Sequence, residues 1–237
     1  MSHTVAIMQP YLFPYLGYLQ LMQSVDEFVL FDTAQFIRRG WIHRNRIVLN
    51  GTAHTFTVPV KKCARETPIH DALWSADPLV RTKLMQTIKQ AYKDAPYVDA
   101  VLPWVERTLC STESSVAKLI ERHFIELYQY LGLEVNFYLA SSRRWTDASG
   151  ASQRILSMCQ DLNATCYINP INGRHLYASE DFAMRGIELQ FLEMEAVEYP
   201  QMGLEFVSHL SMIDVLMMNA PSVVLNLLQK YQLFKPT

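Results

Sequence analysis

The stretch Arg38–Arg46 concentrates the binding chemistry of this chain. Arg38, Arg39, Arg44 and Arg46 surround Trp41, with His43 and Asn45 between them. Guanidinium forks match the paired oxygens of phosphate and carboxylate. An indole plane among them stacks on a sugar or a base. The chain's net charge is −2 and its pI about 6.4, so the cluster is a local concentration of positive charge. That balance gives no general attraction to nucleic acid or to an anionic membrane, and it points to a small anion. Upstream, Gln9, Tyr11, Tyr15 and Tyr18 are followed by Asp32 and Gln35. Gln9 and Asn45 are expected to orient a polar substrate, and Asp32 or His175 to take a proton. His175 sits in the turn-rich run Asn169–Tyr177 after a short apolar stretch, and imidazole is suited to proton transfer near pH 7. Lys61, beside Lys62, either adds charge to the same anion site or forms a surface pair at a strand end.

Elements that would position these groups follow from periodicity. Thr4 to Met8 is apolar and short enough for one buried strand. Pro10 and Pro14 cannot donate to a ladder, so the chain must turn there. Leu16, Leu19, Leu21 and Met22 return at helical spacing, and Gly17 leaves room for close approach of a ligand or another backbone. Phe28 to Phe31 then gives a second strand ending at Asp32. This is a βαβ unit. In an open parallel sheet, ligands bind beyond the carboxyl ends of the strands, where Gln9–Tyr11 and Asp32–Gln35 would fall. Apolar residues around Asn50–Gly51 predict a hairpin. Helices are predicted over Pro78–Lys93, Val98–Thr108, Ser111–Leu131, Ala151–Leu162, Met212–Met218 and Ser222–Tyr231. His123 is expected to be structural, and Asp214 either to complete a capping box with Ser211 or to reach the site. Strands are predicted over Leu133–Ala140, Cys166–Ile168 and Ile187–Leu192. The fold class is therefore α/β: a mostly parallel sheet begun by an N-terminal βαβ unit, Rossmann-like, with a β-hairpin and several flanking helices.

The 237 residues, half of them apolar, suit one domain with a helical lobe around 78–131. Cys63, Cys110, Cys159 and Cys166 show no CxxC spacing and read as free thiols of a reducing cytoplasm. Met1–Ser2–His3 leads into a strand without a basic leader, and no apolar run approaches the roughly 18 residues of a membrane span. No Walker A, GxGxxG, GxSxG or HExxH motif is present, nor a metal-ligand cluster, so no metal and no cofactor is expected.

Four segments carry a resemblance. MQPYLFPYLGYLQL…DEFVLFD…QFIRRGWIHRNRI, TVPVKK at Thr57–Lys62, QAYKDAPY at Gln90–Tyr97 and LSMIDVLMMNAP at Leu210–Pro221 resemble the WbqC family of bacterial surface-glycan gene clusters. The likeness covers essentially the whole chain. It departs at His43, where the family pattern has Asn. It implies work on O-antigen or another surface glycan: acyl or aminoacyl transfer to a nucleotide-linked amino sugar, with an acyl or aminoacyl donor as second partner. A degenerate nucleotidyltransferase and a non-catalytic nucleotide-sugar binder are the alternatives. The opening also resembles that of nucleotidylyltransferases, because Pro14–Tyr15–Leu16–Gly17–Tyr18 stands in place of their His-x-Gly-His. Tyrosine at both histidine positions can bond phosphate but lacks the cationic donors. The likeness therefore implies the fold and a diphosphate pocket rather than nucleotidyl transfer.

Overall fold

The structure, a computed structural model, describes residues 2–75, 77–203 and 205–236. Strand β1 (Thr4–Met8), helix α1 (Leu16–Gln23) and strand β2 (Glu27–Leu30) form the expected βαβ unit, with β1 and β2 parallel. Strand β5 (Phe137–Leu139) lies parallel outside β2, and β6 (Cys166–Pro170) lies parallel on the other side of β1. β7 (Glu188–Met194) pairs in parallel with β6. β8 (Tyr231–Phe234) closes the far edge antiparallel to β7, giving the order β5-β2-β1-β6-β7-β8. The central strands are apolar on both pleats, as a sheet covered on both faces requires. Val5, Ile7, Val29 and Tyr167 join one buried cluster, and Ala6, Phe28, Leu30 and Ile168 join the other. Helices α5 (Ala151–Asp161) and α6 (Ser179–Ala183) cover the first face. The second is covered by α1, α4 (Val116–Leu131), α7 (Met212–Met218) and α8 (Pro221–Leu227), with α2 (Pro78–Ala91) and α3 (Val98–Leu109) outside them.

The hairpin is longer than its apolar residues indicate. β3 (Arg44–Leu49) and β4 (Thr52–Thr57) pair through the two-residue turn Asn50–Gly51, both at positive φ (52° and 75°). Arg44–Arg46 thus belong to a strand. The chain end also differs from expectation. α8 stops at Leu227 because the Gln20 carboxamide donates to the carbonyls of Leu227 and Lys230 (2.9 Å each), after which the chain pairs with β7. The N-cap of α4 is Ser115, three residues beyond the Ser111–Thr112 start read from sequence.

Two buried polar groups brace the frame. His123 lies between Phe13 and Trp104, and its Nε2 accepts from the Phe13 N–H (3.3 Å), which holds Phe13 at φ 49°. Burial pushes its pKa down to about 3, so it is a neutral structural group. Asp214 does not cap α7; the Ser211 Oγ does, accepting from the Ile213 N–H (3.1 Å). The fully buried Asp214 carboxylate accepts instead from Tyr92 (2.7 Å), Tyr199 (2.9 Å) and Gln201 (3.1 Å).

Sheet topology also fixes where a ligand would go. The chain runs outward from β1 through β2 to β5, then returns to β6 on the opposite side of β1. The crevice beyond the carboxyl ends of β1 and β6 is the switch point of the sheet.

Candidate functional site

A cavity of about 640 Å³ occupies that switch point, within the usual range for small-molecule sites. Ile7, Met8 and Gln9 from the end of β1 form its floor, with Asn169 and Pro170 from the end of β6. Tyr11 and Tyr15 come from the turn after β1, Trp41 from the segment before the hairpin, and Asn45 and Arg46 from β3. Asn172, Gly173, Leu176 and Tyr177 form one wall, His209 the rim, and Ala151, Ser152 and Ile155 of α5 the remaining side.

Backbone bonds between segments distant in sequence assemble this wall. Leu12 N–H donates to Ile42 O (2.9 Å), Ser211 N–H to Arg46 O (2.9 Å) and Met212 N–H to Pro14 O (2.7 Å). The Asn45 carboxamide donates to Phe13 O (2.5 Å), which fastens the hairpin to the turn held by His123. Tyr18 lies beneath, buried, donating its hydroxyl to Gln9 O (2.8 Å).

Electrostatically the cavity favours an anion. No carboxylate lines it, and no ion pair among the described residues involves Arg46. Arg46 Nη2 donates to His209 O (3.1 Å), while its Nε has no partner among the described residues. The guanidinium carbon lies 6.0 Å from the Trp41 ring centre, and Trp41 is 46% exposed, leaving ring surface free to stack. In the same lining, α5 begins after an N-cap glycine, Gly150, with no side-chain cap, so the positive end of its dipole lies at the cavity. Burial raises the pKa of Tyr11, Tyr15 and Tyr177, which therefore stay neutral phenols at pH 7.

The structure therefore brings together Gln9, Tyr11, Tyr15, Trp41, Asn45 and Arg46, six of the residues singled out in the sequence. The others lie elsewhere. Asp32 is fully buried; its carboxylate accepts from the Ser141 N–H (2.8 Å) and hydroxyl (2.5 Å), which occupies the group proposed from sequence as a proton acceptor. His175 is exposed on a two-turn 3-10 segment whose Gly173 and Leu176 line the cavity while it does not. Gln35 donates to Arg65 O, and Arg38 to Cys63 O. Arg39 is exposed and offers its carbonyl to Arg44 Nη1 (2.9 Å). Arg44 stands 5.8 Å from the outer Trp41 ring centre and supports it from outside the lining. His43 and Lys61 line a different pocket.

Sequence reasoning missed His209, Asn169, Asn172, Ser152 and Tyr177. Asn169 and Asn172 had a readable signal, a turn directly after a strand. His209 had none: its ring meets Tyr15 at 6.1 Å only because Ser211 is bridged to Tyr15, and it adopts φ 57°, strained for a non-glycine residue. Gly17 also differs from expectation. What approaches it is neither ligand nor backbone but the Tyr15 ring, whose Cε2 would be 2.5 Å from an added Cβ. Gly17→Ala therefore trades a helix-propensity gain of about 1 kcal/mol for displacement of Tyr15 and, with it, His209. The expected outcome is unchanged thermal stability within a few degrees and at least fivefold weaker ligand binding by calorimetry, about 1 kcal/mol.

Among the described residues no helix is long and apolar enough to cross a membrane, and no group of three or more His, Cys, Asp or Glu is placed to hold a metal ion. Comparison with known proteins gives a family model, the WbqC-like protein family, that matches residues 9–225. The chain is also similar to the uncharacterised protein Rv1507c of Mycobacterium tuberculosis, 26% identical over 220 residues, which cover 90% of this chain and 92% of that protein. No solved structure gives a significant match.

Proposed function

This chain belongs to the WbqC-like protein family, and from that premise we propose that its switch-point cavity takes a nucleotide-activated amino sugar and that the protein acylates or aminoacylates the sugar's amine. The observation that carries this is the charge arrangement: Arg46, unpaired with any carboxylate among the described residues, and the first turn of α5 line one cavity without an acidic group. A diphosphate suits the space between a guanidinium and a helix N-terminus. Trp41 offers its plane to the base, and the carboxamides of Gln9, Asn45, Asn169 and Asn172 match sugar hydroxyls, with Leu176 and Ile155 supplying apolar contact.

Acylation needs a neutral amine, because a protonated one has no lone pair. Three lining phenols are kept neutral by burial and Arg46 cannot give up its proton, which leaves the His209 imidazole as the lining group able to accept one. The amine then attacks the donor's acyl carbon, the bond to the leaving group breaks, and the amine proton passes to the imidazole. Tyr11 or Tyr15 can donate to the oxyanion that forms. The proton acceptor in this scheme is His209 in place of Asp32 or His175.

Incubating the purified protein with UDP-, dTDP- and GDP-amino sugars and candidate donors, followed by mass spectrometry, tests the reaction. The expected product is heavier by one acyl or aminoacyl group. Release of pyrophosphate would instead assign nucleotidyl transfer, and binding without turnover a carrier role. In calorimetry, Arg46→Ala is expected to weaken nucleotide-sugar binding by about 1.5–3 kcal/mol, the range for a hydrogen bond to a charged group. Arg39→Ala, at an exposed site outside the lining, is expected to leave it unchanged.

A further inference from the structure

The segment that carries Trp41 and Arg46 to the main cavity sends other side chains to a second hollow. Arg38, His43, Lys61, Lys62 and Cys63 line a pocket of about 370 Å³ with Phe36 on its wall. None of its lining residues is acidic, and none of its three cations enters an ion pair among the described residues. Three like charges around one hollow repel each other until an anion enters. The pocket is also built rather than incidental. Arg38 donates to Cys63 O, which fixes the guanidinium against the opposite chain segment. Val58 N–H donates to His43 O (2.8 Å), and Lys61 N–H to Leu73 O (2.8 Å), so both sides are tied to the frame. The His43 ring packs on Phe36 at 5.2 Å, is 6% exposed, and its Nδ1 has no partner among the described residues. Burial and the neighbouring Arg44 push its pKa down to about 4, so at neutral pH it is an uncharged imidazole left without a bond in a basic pocket.

We propose that this pocket is a second oxyanion site, separate from the main cavity, that takes the phosphate group of a small molecule through Arg38, Lys61 and Lys62. It is independent of what the main cavity binds. Lys61, read from sequence either as adding charge to the same anion site as Arg46 or as part of a surface pair, serves this separate one.

The test uses Arg46→Ala protein, so that the main cavity's cation is absent, and two probes, inorganic phosphate and phenyl phosphate. Saturable one-to-one binding by calorimetry is expected, with the His43 C2–H resonance moving on titration. Adding Lys61→Gln and Lys62→Gln is expected to weaken binding at least about tenfold, since each charge-assisted bond lost is worth of order 1.4 kcal/mol, with an unchanged melting temperature as the control for folding. Tighter binding of the ester than of free phosphate assigns the site to a phosphorylated metabolite; equal binding assigns it to phosphate itself. Absence of saturable binding in Arg46→Ala protein, indifference to the lysine changes, or an unmoved His43 signal would each overturn the proposal. Nucleotide-sugar binding by the wild type is a separate readout, so either assignment can fail alone.

Discussion

His209→Asn protein is expected to keep its affinity for nucleotide sugar and to transfer the acyl group about 10²–10⁴-fold more slowly, the usual contribution of a positioned general base. Asparagine is the informative replacement. The residue sits at φ 57°, a conformation asparagine tolerates better than most side chains. The backbone therefore keeps its place, and the His209 carbonyl position continues to accept from Arg46. The Arg46 guanidinium, proposed to bind phosphate, stays held while the proposed proton acceptor is removed. Loss should fall on kcat with little change in KM. A loss confined to KM would make His209 a binding group, and full activity would remove it from the mechanism.

Asp214→Ala is expected to destabilise the protein by at least about 1–3 kcal/mol, the cost of a buried donor left without an acceptor, because it strands the buried Tyr92 hydroxyl and also takes an acceptor from the half-buried Tyr199 and Gln201. The carboxylate joins Tyr92 of the segment after α2 to Tyr199 and Gln201 of the loop after β7, and Tyr92 in turn accepts from the Val48 N–H (3.3 Å). Burial pushes the Asp214 pKa up, and the three hydrogen bonds push it back. Since whole domains are stable by only about 5–15 kcal/mol, this one change should move the urea midpoint far at constant m-value. Asp214→Asn keeps one acceptor oxygen and should fall between. A loss below about 1 kcal/mol for the alanine protein would mean water replaces the carboxylate at little cost, outside the range expected for stranded buried donors.

Those two residues mark the reach of the sequence. Periodicity located β1 to the residue and placed α1 and β2 within one residue, because apolar spacing, prolines and turn chemistry act over a few positions. The Asn50–Gly51 turn was legible for the same reason: its positive φ values are a local demand. Ser211 and Asp214 stand three apart like a capping box, yet only the serine caps. A buried aspartate goes to the donors that surround it, and those lie on elements 15 and 122 residues away.

The candidate site divides the same way. Gln9, Tyr11, Tyr15, Trp41, Asn45 and Arg46 were legible as a group because strand ends of a parallel sheet collect ligands and because an arginine–tryptophan cluster stands out against a charge of −2. Which members of that cluster face inward was not. Backbone bonds from Leu12 to Ile42 and from Ser211 to Arg46 set the orientation of the hairpin, turning Arg46 and Trp41 into the cavity and His43 toward a different pocket. Asp32 and His175 had the right chemistry after the right strands, but Ser141 encloses one and the 3-10 turn displaces the other. His209 reaches the cavity rim across nearly the whole length of the chain. Local sequence thus determined the element types, the sheet's opening and the chemical character of the site. Tertiary structure alone decided which side chains share one cavity, because hydrogen bonds and burial between distant segments carry no local periodicity to be read.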